Sequence, residues 1–181
     1  IFGDLKFEIF DGAGNLVHTL PGDKRKGLNR LYWAMRIKAP KVPTGASIAG
    51  GAFLGPQVLE GTFTVKMTKG KETLSTSLQI LPDPLSLHTR QEREAQFAAA
   101  MDLYQVLENM TYTVDRIVDL RDKSKGMASS ATDESLKQSL LAFSSTLETL
   151  RNKYVPVKEG GGITGEERLR DHVALLYGAI P

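Results

Sequence analysis

The sequence contains no cysteine among its 181 residues. This absence excludes disulfide frameworks, thiolate metal sites and cysteine nucleophiles. No apolar run approaches the roughly 18–20 residues that a membrane-spanning helix needs, so we predict no transmembrane segment. The formal charge is only +2, from 23 Lys and Arg against 21 Asp and Glu, and it gives no reason to expect a nucleic acid as partner. An apolar content of 41% nevertheless predicts a folded chain.

Recognisable catalytic patterns are also lacking. The three histidines, His18, His88 and His172, do not have the spacing of metal ligands, and neither HExxH nor GxSxG occurs. Glu166 and Glu167 suggest the carboxylate pair of a glycosidase. Adjacent helical residues point about 100° apart, however, and a capping role explains Glu167. We therefore predict no catalytic residue, no metal and no cofactor in this chain.

What the sequence does have is a change of hydrophobic period. Over residues 1–84, apolar and polar side chains alternate between turn-forming segments, which is typical of antiparallel strands. No helical pattern separates these strands, so a parallel α/β sheet is disfavoured. We predict an Ig-like or fibronectin-like antiparallel β-sandwich. Its strands are expected around residues 5–9, 16–20, 31–37, 62–68 and 74–80, with a short edge strand within 53–59.

The period changes after Pro82 and Pro84, which end the last strand and stiffen the connection. Beyond them, apolar residues recur at spacings of four and three, as on the buried face of a bundle helix. Helices are predicted over about 90–124, 132–153 and 165–178, the first and third beginning with capping boxes at Thr89 and Thr164. The prediction is an α+β chain of two domains, a sandwich over 1–84 and a helical hairpin or three-helix bundle over 85–181.

Five residues in the first half receive individual roles. We expect Trp33 to fill the sandwich core and Arg36 to bind a loop carbonyl or a carboxylate. Gly61 is expected to begin a strand where the backbone needs room, and Pro84 to close the sheet domain. The alternative for Tyr32 and Arg36 is a binding surface that stacks on sugars or docks a protein.

A long segment rich in glycine, alanine and proline covers residues 39–61. Loops of this length inside a compact domain are uncommon and are often functional. Two interpretations stay open, an ordered connection and a binding loop.

Short motifs follow one another in a characteristic order along the chain. They are FEIFD at 7–11, GLNR at 27–30, WAMR at 33–36, EGTFTV at 60–65, DP at 83–84, GEERLR at 165–170 and LY at 176–177. This order resembles the Ig-like module of the flagellar hook-capping protein. It resembles more closely the C-terminal region of large bacterial exported proteins with BNR or sortilin-type propellers, often labelled glycosyl hydrolase or sialidase-like. The WDLR, PGxYxV and DPR strings of that family stand here as WAMR, EGTFTV and DPL.

The resemblance implies an exported bacterial protein whose propeller domain, in the same chain, is the partner of this region. The propeller's Asp-box, SxDxGxxW, does not occur here. The chain starts at Ile1 without Met and ends just after an apolar helical pattern, so we expect a piece of a longer protein. The leading hypothesis is a non-catalytic accessory region. Its rivals are a module that binds carbohydrate or a cell-surface protein, and a hydrolase with an unconventional carboxylate site.

Overall fold

The computed structural model describes residues 5–22, 27–159 and 165–180. Three predicted features lie outside these residues, namely the chain start at 1–4, the glycine run at 160–162 and the helix cap at Thr164. The described residues form a four-stranded antiparallel sheet and three helices, which confirms the α+β class.

Four strands make up the sheet, in the order β2-β1-β3-β4, with every neighbouring pair antiparallel. Their bounds are Leu5–Phe10 for β1, Leu16–Pro21 for β2, Gly61–Lys69 for β3 and Glu72–Ile80 for β4. Gly70 and Lys71 alone connect β3 to β4, and the Gly70 φ of 59° suits the first position of a type II′ turn. The strands predicted around 5–9, 16–20, 62–68 and 74–80 are confirmed to within two residues at each end.

One face of the sheet carries the core of its unit. Ile9, Val17 and Phe63 are buried there. Partly buried apolar side chains pack on them, namely Leu20, Trp33, Ile37, Val58, Val65 and Ile80. The opposite face is polar, because the alternate residues of β3 are threonine and lysine.

The strands predicted at 31–37 and within 53–59 are not formed. These segments are irregular and meet in a single bridge between Arg36 and Gln57. The physical reason lies at Met35, whose φ of 54° is in the left-handed region and interrupts an extended run. Side-chain alternation carried no sign of this turn.

The helices are α1, Arg90–Ser130; α2, Glu134–Tyr154; and α3, Leu169–Gly178. The capping box before α1 is confirmed, since the Glu92 carboxylate accepts the Thr89 amide at 2.7 Å and the Thr89 hydroxyl accepts the Glu92 amide at 3.2 Å. Helix α1 passes through the predicted break after residue 124. Helix α3 begins later than predicted, at a box in which Asp171 accepts the amide of Arg168 at 3.0 Å.

Helices α1 and α2 run antiparallel. Val114 packs in one cluster with Val155, and Arg121 bonds to Glu148, so seven residues forward on α1 correspond to seven residues back along the returning chain. The apolar stripe predicted on α1 is largely buried, at Leu107, Met110, Val114 and Ile117. Among the described residues, no helix combines the length and hydrophobicity needed to cross a membrane.

The apolar stripe predicted on α3, at Leu169, Val173 and Leu176, is only partly buried, because Val173 alone packs against the cluster of Met110, Val114 and Val155. Leu169 and Leu176 are exposed, and the buried face consists of Arg170, Ala174 and Tyr177. Hydrophobic periodicity does not identify a buried helix face that contains an arginine. The predicted face is therefore displaced by one residue from the buried face.

The chain divides into two compact units. One comprises Ile1–Ala39 and Leu54–Met101, and the other comprises Pro40–Phe53 and Asp102–Pro181. These units are not the same residue ranges as the predicted domains 1–84 and 85–181. Residues 40–53 group with the helices, and the first part of α1 groups with the sheet.

Candidate functional site

The residues predicted to bind, Tyr32 and Arg36, lie in the irregular segment of the sheet unit. The Tyr32 side chain is exposed, with 83% of its surface open to solvent. The Arg36 guanidinium donates from Nη1 to the carbonyl of Gly55 at 3.0 Å, the kind of loop acceptor that the sequence predicts. The indole Nε1 of Trp33 donates to the Arg36 carbonyl at 2.8 Å. Arg36 is therefore used at both its backbone and its side chain.

Backbone hydrogen bonds join residues 35–38 to their surroundings. The amide of Ile37 donates to the Pro56 carbonyl at 3.0 Å, and the amide of Val58 donates to the Met35 carbonyl at 2.8 Å. A Cβ at Gly55 would stand 2.0 Å from the Ile37 carbonyl oxygen, so only glycine fits at that crossing. Residues 35–38 are therefore bonded to the chain around them, whereas the nearby Tyr32 side chain is exposed.

Trp33 is part of the apolar face of the sheet. Its ring is 5.4 Å from that of Phe63 at an interplanar angle of 66°, an edge-to-face arrangement. The side chain is half-buried. Its ring covers the apolar face of the sheet, and its indole N–H bonds to the backbone at Arg36.

The other two residues given structural roles occupy the ends of strands and turns. Gly61 begins β3, but a Cβ there would meet nothing within 4 Å, so backbone room is not the reason for glycine. Pro84 lies in a turn in which Asp83 accepts the amides of Leu85 at 2.9 Å and Ser86 at 3.0 Å. Both residues are exposed.

The first part of the long segment, residues 40–53, packs within the helical unit. The Lys41 amide donates to Glu108 at 2.7 Å, and the Thr111 hydroxyl donates to the Lys41 carbonyl at 2.9 Å. The Ala46 amide donates to the Pro156 carbonyl at 3.0 Å. The segment is thus an ordered connection, bonded to α1 and to the chain that follows α2.

Arg170 anchors the same segment, and sequence reasoning missed it. Its side chain is only 2% exposed. Nη1 donates to the Pro43 carbonyl at 3.1 Å, while Nη2 donates to Asp171 at 2.7 Å and to the Ser47 hydroxyl at 3.2 Å. A Cβ at Gly45 would stand 2.6 Å from Nη1. The sequence does contain a segment of small residues that could pack around a buried arginine. No sequence pattern links that segment to α3, however.

Two carboxylates that could serve in acid–base chemistry make internal bonds. Arg93 forms a two-point pair with Glu60, Nη2 to Oε1 at 2.8 Å and Nε to Oε2 at 3.3 Å, which lowers the pKa of Glu60 to about 2. Glu166 accepts the amides of Val157 and Lys158, and these bonds and that from Arg168 lower its pKa. A carboxyl with a lowered pKa is ionised at neutral pH and holds no proton to donate.

The three histidines, for which the sequence predicts no metal, lie in separate parts of the chain. Within residues 5–22, 27–159 and 165–180, no group of three or more His, Asp and Glu side chains is arranged to hold a metal ion. His18 is in β2, and its buried Nδ1 has no hydrogen-bond partner among the described residues. His172 on α3 faces Glu167 at 3.7 Å.

Comparison with protein families, curated proteins and solved structures found no match for this chain.

Proposed function

We propose that this chain is a non-catalytic accessory region of a larger exported bacterial propeller protein, which it packs against or presents. In this proposal the sheet unit is the Ig-like module and the helices are the three-helix bundle. The proposal rests on the order of motifs from residue 7 to residue 177. It places the partner, a propeller domain, in the same polypeptide.

The main structural support is that several motif residues are held by hydrogen bonds and ion pairs within the chain. Arg36, at the end of WAMR, bonds to the Gly55 carbonyl, and Trp33, at its start, bonds to the Arg36 carbonyl. Glu60, at the start of EGTFTV, is paired with Arg93. Side chains committed to such bonds are positioned to stabilise a module rather than to meet a substrate. Leu85 and Leu87, 87% and 97% exposed, offer apolar surface for contact with a neighbouring domain.

The non-catalytic part of the proposal is tested with a panel of aryl glycosides, including a sialoside. The 181-residue chain is expected to release product no faster than buffer alone. Turnover that Glu60→Gln or Glu166→Gln abolishes would overturn it, because it would make one of those carboxylates a catalytic group. A folding check by circular dichroism accompanies each variant.

A carbohydrate- or protein-binding module is the second candidate, and the exposure of Tyr32 favours it. An aromatic ring that is 83% exposed presents a face on which a sugar ring can stack. The test is a glycan array read with the native chain, Tyr32→Ala and Tyr112→Ala. Tyr112 is a matched control, since it is 72% exposed on α1. Binding lost only with Tyr32→Ala supports this candidate, whereas a flat response from the native chain contradicts it.

A further inference from the structure

The outer edge of β4 is left unpaired by the described residues of its own chain. In the described residues β4 pairs with β3 alone, at the end of the strand order. Its residues 72–79 are all exposed. An exposed strand edge presents a row of N–H and C=O groups that can pair with another strand.

The hairpin geometry decides which backbone groups face outward. Lys69 and Glu72 flank the two-residue loop and form a hydrogen-bonded pair, and such pairs alternate along an antiparallel ladder. The even-numbered residues of β4 therefore bond to β3. The odd-numbered residues, Thr73, Ser75, Ser77 and Gln79, direct their backbone N–H and C=O groups to the open edge.

The sequence of β4 is symmetric about its centre. Residues 74–78 read Leu-Ser-Thr-Ser-Leu, which is the same in both directions around Thr76. A strand of this kind is complementary to an antiparallel copy of itself. We propose that β4 pairs with β4 of a second copy of this chain, antiparallel and around a two-fold axis at Thr76.

The resulting register satisfies both the backbone and the side chains. Ser75 of one copy lies opposite Ser77 of the other, so two outward-facing residues form a hydrogen-bonded pair. Leu74 lies opposite the other copy's Leu78. These leucines are 65% and 39% exposed in the single chain, on the same sheet face as Phe63. Pairing extends that apolar face across two four-stranded sheets and shields both leucines.

The two edges of the sheet differ in their protection. Natural edge strands are protected by lysine, proline, bulges or short length. Strand β2, at the other edge, has six residues, ends at Pro21 and has an irregular register with β1 between Ile9 and Phe10. Strand β4 has nine residues, no proline and no basic residue, and its only charge is at Glu72. A strand with so little charge does not repel its own copy, which identifies a second copy as the occupant.

The mass of the 181-residue chain in solution tests the pairing. Light scattering across a concentration series is expected to reach twice the monomer mass of 19.8 kDa. Thr76→Lys places two like charges opposite each other on the two-fold axis and is expected to return the mass to the monomer value. An equimolar mixture of Thr76→Lys and Thr76→Glu is expected to restore the dimer. Thr19→Lys, on the β2 edge, is the control that leaves the dimer intact.

A disulfide between the two copies tests the register. The result is unambiguous because the native chain has no cysteine. Residues opposite each other in a non-hydrogen-bonded pair have Cα atoms about 4.5 Å apart, within disulfide reach, so Thr76→Cys is expected to cross-link under mild oxidation. Thr73→Cys lies about 20 Å from its copy in this register and is expected not to. A native chain that stays monomeric, a dimer that survives Thr76→Lys, or equal cross-linking of the two cysteine variants would each overturn the proposal. None of these outcomes bears on catalysis.

Discussion

At the residue scale, the helical unit depends on a buried charge. Arg170 is 2% exposed, and its guanidinium bonds to Asp171, to Ser47 and to the carbonyl of Pro43. An arginine is normally left in water unless all its donors find acceptors. The sequence places Arg170 in a motif but does not predict its burial, because the carbonyl acceptor lies 127 residues away along the chain.

Replacing Arg170 by methionine is expected to lower the free energy of unfolding by about 3–5 kcal/mol, because Asp171 then loses its buried partner. Urea unfolding measures this loss. Arg116→Met is the control, since the Arg116 side chain is 58% exposed and its ion pair with Asp119 is a surface pair. Equal stabilities of the two variants would contradict the anchoring role.

Glu60 makes the stability of the sheet unit depend on pH. Pairing with Arg93 lowers the Glu60 pKa from its ordinary 4.5 to about 2, so between these values the unfolded chain binds the proton more readily. The contribution is present above pH 4.5 and is lost as the pH falls toward 2. Unfolding midpoints at pH 7 and pH 3 are expected to differ less in Glu60→Gln than in the native chain. Asp102→Asn, at an exposed site on α1, is expected to leave the difference unchanged.

At the element scale, side-chain periodicity predicted the four strands of the sheet and α1, but not where backbone geometry breaks the pattern. The run from Leu31 to Ile37 alternates as a strand does, yet Met35 turns with a φ of 54°. Helix α1 continues through Gly126, where an added Cβ would meet nothing within 4 Å. One exposed glycine costs a helix only about 1 kcal/mol, which 41 helical residues readily absorb.

The small residues of the long segment allow it to pass close to α3. A Cβ at Gly51 would stand 2.3 Å from the Ala174 carbonyl oxygen, and the Gly51 φ is 90°. Gly51→Ala is therefore expected to destabilise the chain by about 2–4 kcal/mol, through backbone strain and overpacking. Gly50→Ala is the neighbouring control, because a Cβ there meets nothing within 4 Å, and its effect is expected to stay below about 1 kcal/mol. Thermal unfolding compares the two, and similar midpoints would contradict the close approach.

At the scale of the whole molecule, the change of period predicted an α+β chain, and the structure confirms that class. The division of the residues into two compact units was less predictable from the sequence. Residues 40–53 join the helical unit through bonds to Glu108, Thr111 and Arg170, each more than 60 residues away. Local sequence patterns predict individual helices and strands, whereas such long-range bonds decide which of them belong to one unit.

The candidate site was likewise predictable only in part, in its residues but not in their partners. The sequence identified Trp33 and Arg36 as notable residues of one segment and offered a loop carbonyl as an Arg36 acceptor. It did not identify Gly55 as that acceptor, because Gly55 lies in an irregular stretch with no pattern to align it. The Glu60–Arg93 pair was missed for a similar reason, since it joins a loop residue to a helix 33 residues later.

At this scale, we propose that the chain belongs to a larger exported propeller protein as its non-catalytic region. The most direct measurement is the sequence and intact mass of the natural gene product that contains these 181 residues. We predict an export signal and SxDxGxxW Asp-boxes upstream of Ile1 in the same polypeptide. A natural product without Asp-boxes, or one joined to a domain of another class, would contradict it.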